Sequence, residues 1–279
     1  HGGLLERMRR ARAAGFGAVE ISTQELYQHS PADVGAALRD SGLRCELFNM
    51  PAGDWAGGDR GLAALPGRRA EFEGSVGTAL EYAQALECPR VHCMAGFAPA
   101  DAEHERCFRE NLRTASRALC PAGVDVLIEP INPRSLPGYF LSSFPQAQET
   151  IAAVRQSAGE LGGRCSLRLL FDVFHCQIVH GDLVANLRRY RDAIGHVQIA
   201  GVPDRGEPDN DQEVNYSHVL RVLREEAGYS GHVGCEYIPR AGTEAGLGWL
   251  AALGDSVRAP PPPADRHPDH AGRAPRRGQ

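Results

Sequence analysis

Four apolar segments of this chain end in a side chain that can hold a cation. They are Glu129 in Val-Leu-Ile-Glu-Pro-Ile-Asn, Asp172 in Leu-Leu-Phe-Asp-Val-Phe-His, Gln198 in His-Val-Gln-Ile-Ala and Glu236 in Val-Gly-Cys-Glu-Tyr. Three carboxylates and one amide oxygen form an all-oxygen donor set, which suits a hard divalent cation such as Mg2+ or Mn2+ and disfavours Zn2+. A carboxylate at the end of an apolar run is costly to bury unless it is paired or bound to a metal. Taken singly, each acid has a plain explanation as a helix cap or an arginine partner; four in succession point to a site. Glu129 and Glu236 lie on segments separated by two others, so a closed barrel would set them across its mouth from each other. Moving a proton between adjacent carbons requires opposed carboxylates on either side of a polarised carbonyl compound. One abstracts, the other returns, and a cation stabilises the enediolate between the two steps.

Other residues could complete such a site. His175 follows Asp172 by three positions, and Arg205 lies in the connection after Gln198. A histidine and a planar guanidinium near a metal can orient a substrate hydroxyl and pair with a substrate carboxylate. From local sequence alone, Arg205 reads equally as an exposed loop charge paired with Glu207 or Asp204. His92, inside Val-His-Cys-Met-Ala-Gly, either points to the site to meet substrate or lies in the core as a hydrogen-bonded histidine. Glu20 ends the first apolar run, where it either meets substrate or anchors its neighbours.

The elements that must gather these residues alternate along the chain. Short β-branched and aliphatic runs predict buried parallel strands at Ala18 to Ile21, Arg44 to Phe48, Arg90 to Met94, Val126 to Ile131, Leu167 to Val173, His196 to Ala200 and His232 to Tyr237. Helix-period stretches fall at 4–14, 32–41, 68–86, 107–119, 145–158, 183–190 and 216–226, and Gly15 and Gly42 stop the first two. Repetition every 30 to 45 residues or so is that of βαβ units, and a parallel β/α barrel is the fold that brings the ends of such strands to one face. An eight-stranded barrel needs one strand more than the seven seen. The chain opens at His1 directly into a helix, so the first strand is the one expected to be absent, leaving open edges that invite instability or association into a homo-oligomer. Residues 1–257 are expected to form a single barrel domain, and the Pro- and Arg-rich stretch 258–279 a disordered tail. Long connections at 49–68 and 133–143 follow strands, and either is placed to act as a lid, with Trp55, or Tyr139 and Phe140, closing over a ligand.

Composition narrows the partners. A formal net charge of -5 gives no basic face for nucleic acid or an anionic membrane, so a small soluble ligand is expected. Cys45, Cys88, Cys93, Cys107, Cys120, Cys165, Cys176 and Cys235 show no C-x-x-C pair and read as reduced, mostly buried thiols of a cytoplasmic protein. Neither a secretory leader nor an apolar run of membrane-spanning length is evident.

The chain also resembles the hydroxypyruvate isomerases, within the xylose-isomerase-like TIM barrels. The matching segments run in order from about residue 12 to about 250. They are Gly-Phe-Gly-Ala-Val-Glu, Asn-Met-Pro-Ala-Gly-Asp with Gly-Leu-Ala-Ala-Leu-Pro-Gly-Arg, Val-His-Cys-Met-Ala-Gly, Glu-Pro-Ile-Asn with Pro-Gly-Tyr-Phe-Leu, Asp-Val-Phe-His-Cys-Gln-Ile, Gly-His-Val-Gln-Ile-Ala-Gly-Val-Pro-Asp-Arg-Gly-Glu-Pro and Gly-Cys-Glu-Tyr-Ile-Pro. The resemblance implies a TIM barrel that interconverts hydroxypyruvate and 2-hydroxy-3-oxopropanoate (tartronate semialdehyde). It implies Glu129 and Glu236 as the catalytic pair, and Glu129, Asp172, Gln198 and Glu236 as metal-binding positions. His175 and Arg205 match positions that contact substrate in related ketose epimerases. No nicotinamide, flavin or pyridoxal cofactor is implied. Three alternatives stand beside this reading: an isomerase or epimerase of a larger sugar acid or ketose, such as a 2-oxo-tetronate; a barrel made inactive by its missing strand; and an abasic-site nuclease of the same superfamily. The nuclease would need more metal-binding histidines and a basic face, which this chain lacks.

Overall fold

The computed structural model describes residues 2–157 and 167–254. Within them one sheet of parallel strands runs in chain order: β1 (Ala18–Ile21), β2 (Arg44–Asn49), β3 (Arg90–His92), β4 (Asp125–Ile128), β5 (Leu167–Asp172), β6 (Ile194–Ile199) and β7 (Val233–Cys235). Around it lie α1 (Leu4–Ala13), α2 (Pro31–Ser41), α3 (Arg69–Ala85), α4 (Ala102–Leu119), α5 (Phe144–Ser157), α6 (Val173–Val179), α7 (Leu183–Tyr190), α8 (Tyr216–Glu225) and α9 (Gly248–Leu253). This is a β/α barrel one strand short of closure, as expected. The strand register confirms it: every pairing joins consecutive strands, and among the described residues β1 and β7 are the two edges. The 258–279 tail lies outside the described residues.

Local chemistry explains the helix boundaries. Ser30 accepts from the Asp33 amide at 3.1 Å, Pro31 occupies the first turn, and Gly42 closes α2 in the left-handed region at φ 64°. Asp101 accepts from the amides of Glu103 and His104 at the start of α4. Two apolar cores follow from strand alternation. Residues on one face of each strand pack beneath the helices around Phe48, Phe72, Phe108, Phe144 and Phe171. On the other face, Leu47, Leu127 and Leu170 fill the barrel interior as a small separate cluster.

A cavity of about 810 Å³ lies between the β1 and β7 edges, lined by Phe16, Val19, Val233, Tyr237 and Leu250 among others. Side chains bridge its flanks. His232, just before β7, meets Glu46 at 3.1 Å and Arg44 at 3.1 Å, and Glu20 reaches across β7 to β6. Gly234 makes that crossing feasible, because a Cβ there would lie 1.7 Å from Glu20 Oε1.

Three expectations need correction. Cys120 is disulfide-bonded, so the reading of wholly reduced thiols fails there, while Cys45, Cys88, Cys93, Cys107, Cys176 and Cys235 are free. Tyr139 and Phe140 are no lid. Both are buried, Tyr139 accepts from the Ala95 amide at 2.8 Å, and the Phe140 amide donates to Gly96 at 2.9 Å. That connection is stitched to the segment that follows β3, and burial of its two aromatic rings keeps it there. The third concerns α6: the run through Val173 does not stay extended, because Asp172 caps a helix immediately after β5. No helix among the described residues is long and apolar enough to cross a membrane.

Candidate active site

Strand alternation sets the predicted residues on the inner face. Glu129 lies two positions beyond Leu127, Asp172 two beyond Leu170 and Glu236 two beyond Gly234, and Gln198 stands in register opposite Asp172. All four therefore arrive at the carboxyl-terminal mouth of the barrel. Glu129, Asp172 and Gln198 are buried, while the Glu236 side chain keeps 37% of its surface where it borders the edge cavity.

Asp172 has two duties. Its Oδ1 accepts from the Phe174 amide at 2.8 Å, which starts α6 and brings His175 back over the mouth. Its Oδ2 lies 3.5 Å from Arg205 Nη2 and 3.6 Å from His175 Nε2. His175 Nε2 is also 3.5 Å from Glu129 Oε1, and His92 Nδ1 is 3.6 Å from Glu129 Oε2. Arg205 meets Glu236 at 3.2 Å and stacks on Phe174, its guanidinium carbon 5.1 Å from the ring centre. The reading of Arg205 as an exposed loop charge paired with Glu207 or Asp204 is thus overturned; Glu207 is held by Arg240 instead. Arg205 adopts φ 57°, a conformation that costs a non-glycine residue on the order of 1–3 kcal/mol. The Ile238 amide, donating to the Arg205 carbonyl at 2.7 Å, helps to hold it there.

His92 is buried, as the core reading has it, yet it also borders Glu129. Glu20 proves to be an anchor: it accepts from Gln198 Nε2 at 2.6 Å and is hydrogen-bonded to His196 Nε2. Sequence reasoning missed Asn132 and Asn49, which hydrogen-bond His175 and His92. The only sequence signal for Asn132 was its place in Glu-Pro-Ile-Asn, just past a strand end.

Electrostatics leave the site short of positive charge. Burial, then the charges of Asp172 and Glu236, push the Glu129 carboxyl well above its ordinary range. Burial raises Glu236 to about 7 despite Arg205, and raises Asp172 despite the same guanidinium. Burial opposes the charge on Arg205, but Asp172, Glu236 and Glu129 more than restore it. Burial holds His175 and His92 below their usual values, His92 at about 3. Three carboxylates thus face one guanidinium. Glu129 Oε1, Asp172 Oδ2 and Gln198 Oε1 are buried without a hydrogen-bond partner, and ligand atoms of Glu129, Asp172 and His175 lie within 4.8 Å of one another. Orphaned oxygens of this kind fit a hard divalent cation.

The chain is similar to known proteins over most of its length. Residues 8–253 match the family described as xylose isomerase-like TIM barrel. A 2-oxo-tetronate isomerase of Cupriavidus necator is 49% identical over 88% of this chain and 91% of its own length. The hydroxypyruvate isomerase of Escherichia coli is 39% identical over 88% of this chain and 92% of its own. Among solved structures, one from Brucella melitensis described as an AP endonuclease, family 2, superposes with a TM-score of 0.81 at 42% identity, covering 89% of this chain and 92% of that one.

Proposed function

This chain belongs to the xylose isomerase-like TIM-barrel family, and from that premise we propose that it is a hydroxypyruvate isomerase, interconverting hydroxypyruvate and tartronate semialdehyde. The observation that carries the reading is the convergence of Glu129, Asp172 and Glu236 with the orphaned Gln198 oxygen at one barrel mouth. Glu129, Asp172, Gln198 and Glu236 would hold Mg2+ or Mn2+. When bound, such an ion supplies Lewis-acid polarisation of the substrate's carbonyl and hydroxyl oxygens.

The protein's own groups account for the proton movements. One of Glu129 and Glu236 removes the proton from the hydroxymethyl carbon of hydroxypyruvate, giving an enediolate. The other delivers a proton to the former carbonyl carbon, while the hydroxyl proton passes between the two substrate oxygens, so atoms and charge balance. Burial makes both glutamates stronger bases than free carboxylates, which suits the abstraction. His175 faces the reacting oxygens. Arg205 spends part of its fork on Asp172 and Glu236 and has further N–H groups for the substrate carboxylate. His92 borders Glu129 and is assigned to the substrate pocket.

The test is the rate of tartronate semialdehyde formation by the purified protein, with Mg2+ or Mn2+ and after chelation. Activity that falls on chelation supports the reading; a folded protein inactive on hydroxypyruvate under every metal condition overturns it. A second reading, isomerisation of a 2-oxo-tetronate, is favoured by the 49% identity to an isomerase of that name. The ratio of kcat/KM for the two substrates decides between them.

A further inference from the structure

The two histidines beside Glu129 are hydrogen-bonded in opposite senses, and each sense can be traced to a backbone group whose polarity admits no alternative. The Ser135 amide can only donate, and it donates to Asn132 Oδ1 at 2.8 Å. The Asn132 amide is thereby oriented, its Nδ2 facing His175 Nδ1 at 2.7 Å, and the Asn132 backbone N–H points at the same ring atom at 3.2 Å. Two donors aimed at Nδ1 require a lone pair there. The ring is therefore neutral and its hydrogen sits on Nε2. That Nε2 is buried without a hydrogen-bond partner and lies 3.5 Å from Glu129 Oε1 and 3.6 Å from Asp172 Oδ2.

His92 shows the converse. The Ser22 carbonyl can only accept, and it takes Asn49 Nδ2 at 3.1 Å. Asn49 Oδ1 then faces His92 Nδ1 at 3.1 Å, so this ring carries its hydrogen on Nδ1 and leaves Nε2 as an acceptor.

We propose that Asn132 is a positioning residue that locks His175 as the Nε2–H tautomer, making it a hydrogen-bond donor to a ligand oxygen and excluding it from metal coordination. Proximity alone would group His175 with Glu129 and Asp172 as a third ligand. A neutral imidazole that carries hydrogen on the nitrogen facing the site has no lone pair to offer there. The metal set is thereby left all-oxygen, and the donor is reserved for the oxygen that gains charge as the carbon loses its proton. The consequence for turnover rests on the isomerase reading; the tautomer does not.

The test is long-range proton–nitrogen correlation NMR on the full chain labelled with 15N-histidine, without metal or substrate, assigning the two rings through His175→Gln and His92→Gln. The wild-type spectrum is expected to show the Nε2–H pattern for His175 and the Nδ1–H pattern for His92. Asn132→Asp replaces the side-chain donor with an acceptor, leaving only the backbone N–H to ask for a lone pair, and is expected to put a hydrogen on Nδ1 of His175 alone. It is also expected to lower kcat by about 10²-fold and to bring an imidazole ligand into the absorption spectrum of bound Co2+. An Nδ1–H or imidazolium pattern for wild-type His175, or an unchanged tautomer in a folded Asn132→Asp protein, overturns the proposal. The wild-type spectrum decides even where that variant does not fold. A correct tautomer in a protein inactive on hydroxypyruvate would overturn the hydroxypyruvate reading alone.

Discussion

Glu129 and Glu236 differ from ordinary carboxylates because burial disfavours their charged forms, and this has consequences for both rate and stability. Glu129→Gln and Glu236→Gln keep shape and remove the base, so each is expected to lower kcat by about 10²- to 10⁴-fold, measured by tartronate semialdehyde formation. The same burial ties stability to pH. Glu129, Asp172 and Glu236 are all raised, Glu236 from 4.5 to about 7. The metal-free fold therefore binds more protons than the unfolded chain across that window, so its stability is greatest at the acidic end and falls as pH rises toward 7 and beyond. A divalent cation binds the ionised forms, so the gain in Tm on adding Mg2+ or Mn2+ should be larger at pH 8 than at pH 5.5 in a thermal melt. Equal gains at both pH values would contradict it. Solvent reaching Glu236 through the edge cavity moderates its share. Glu20 belongs at this scale too. Holding Gln198 Nε2 leaves Gln198 Oε1 for the site, so Glu20→Leu is expected to weaken Mn2+ binding about 10- to 100-fold by calorimetry.

At the scale of elements, β7 and α6 do more than support. β7 passes close to Glu20 because Gly234 has no side chain, so Gly234→Ala should push the carboxylate off Gln198 and His196. The expected cost is about 1–3 kcal/mol in urea unfolding, accompanied by weaker metal binding. A variant as stable and as tight as the parent would show that Glu20 has room to move. α6 begins on Asp172, so the residue that faces Arg205 also sets the direction of the helix carrying His175. The strands and most helices were readable from period and caps: Ala18–Ile21 and Leu183–Tyr190 match their expected bounds. α6 was not, since Val-Phe-His-Cys-Gln-Ile-Val is as apolar as the strand it follows and only the Asp172 cap distinguishes the two. α9 is six residues long, too short for a helical period to show.

For the molecule as a whole, the decisive feature is an almost closed sheet whose edges, among the described residues, are β1 and β7. Among the described residues, interior strands gain hydrogen bonds on both sides, whereas β1 and β7 each lack one ladder and border a cavity of about 810 Å³. Amide hydrogen exchange should therefore be faster in β1 and β7 than in β4 and β5, and a uniform protection pattern would contradict an open barrel.

The sequence by itself was enough for the barrel and for the arrival of Glu129, Asp172, Gln198 and Glu236, with His175, at one mouth of it, where the proposed reaction would use them. Strand alternation and βαβ repetition are local patterns, and a barrel gathers strand ends whatever the details of packing. Only the tertiary structure decided whom Arg205 pairs with, which tautomer each histidine holds and that Glu20 turns the Gln198 amide. Each of these depends on which donor meets which acceptor across 31 to 178 residues of chain. Distances across the barrel interior arise only when the sheet curls, so no local period carries them.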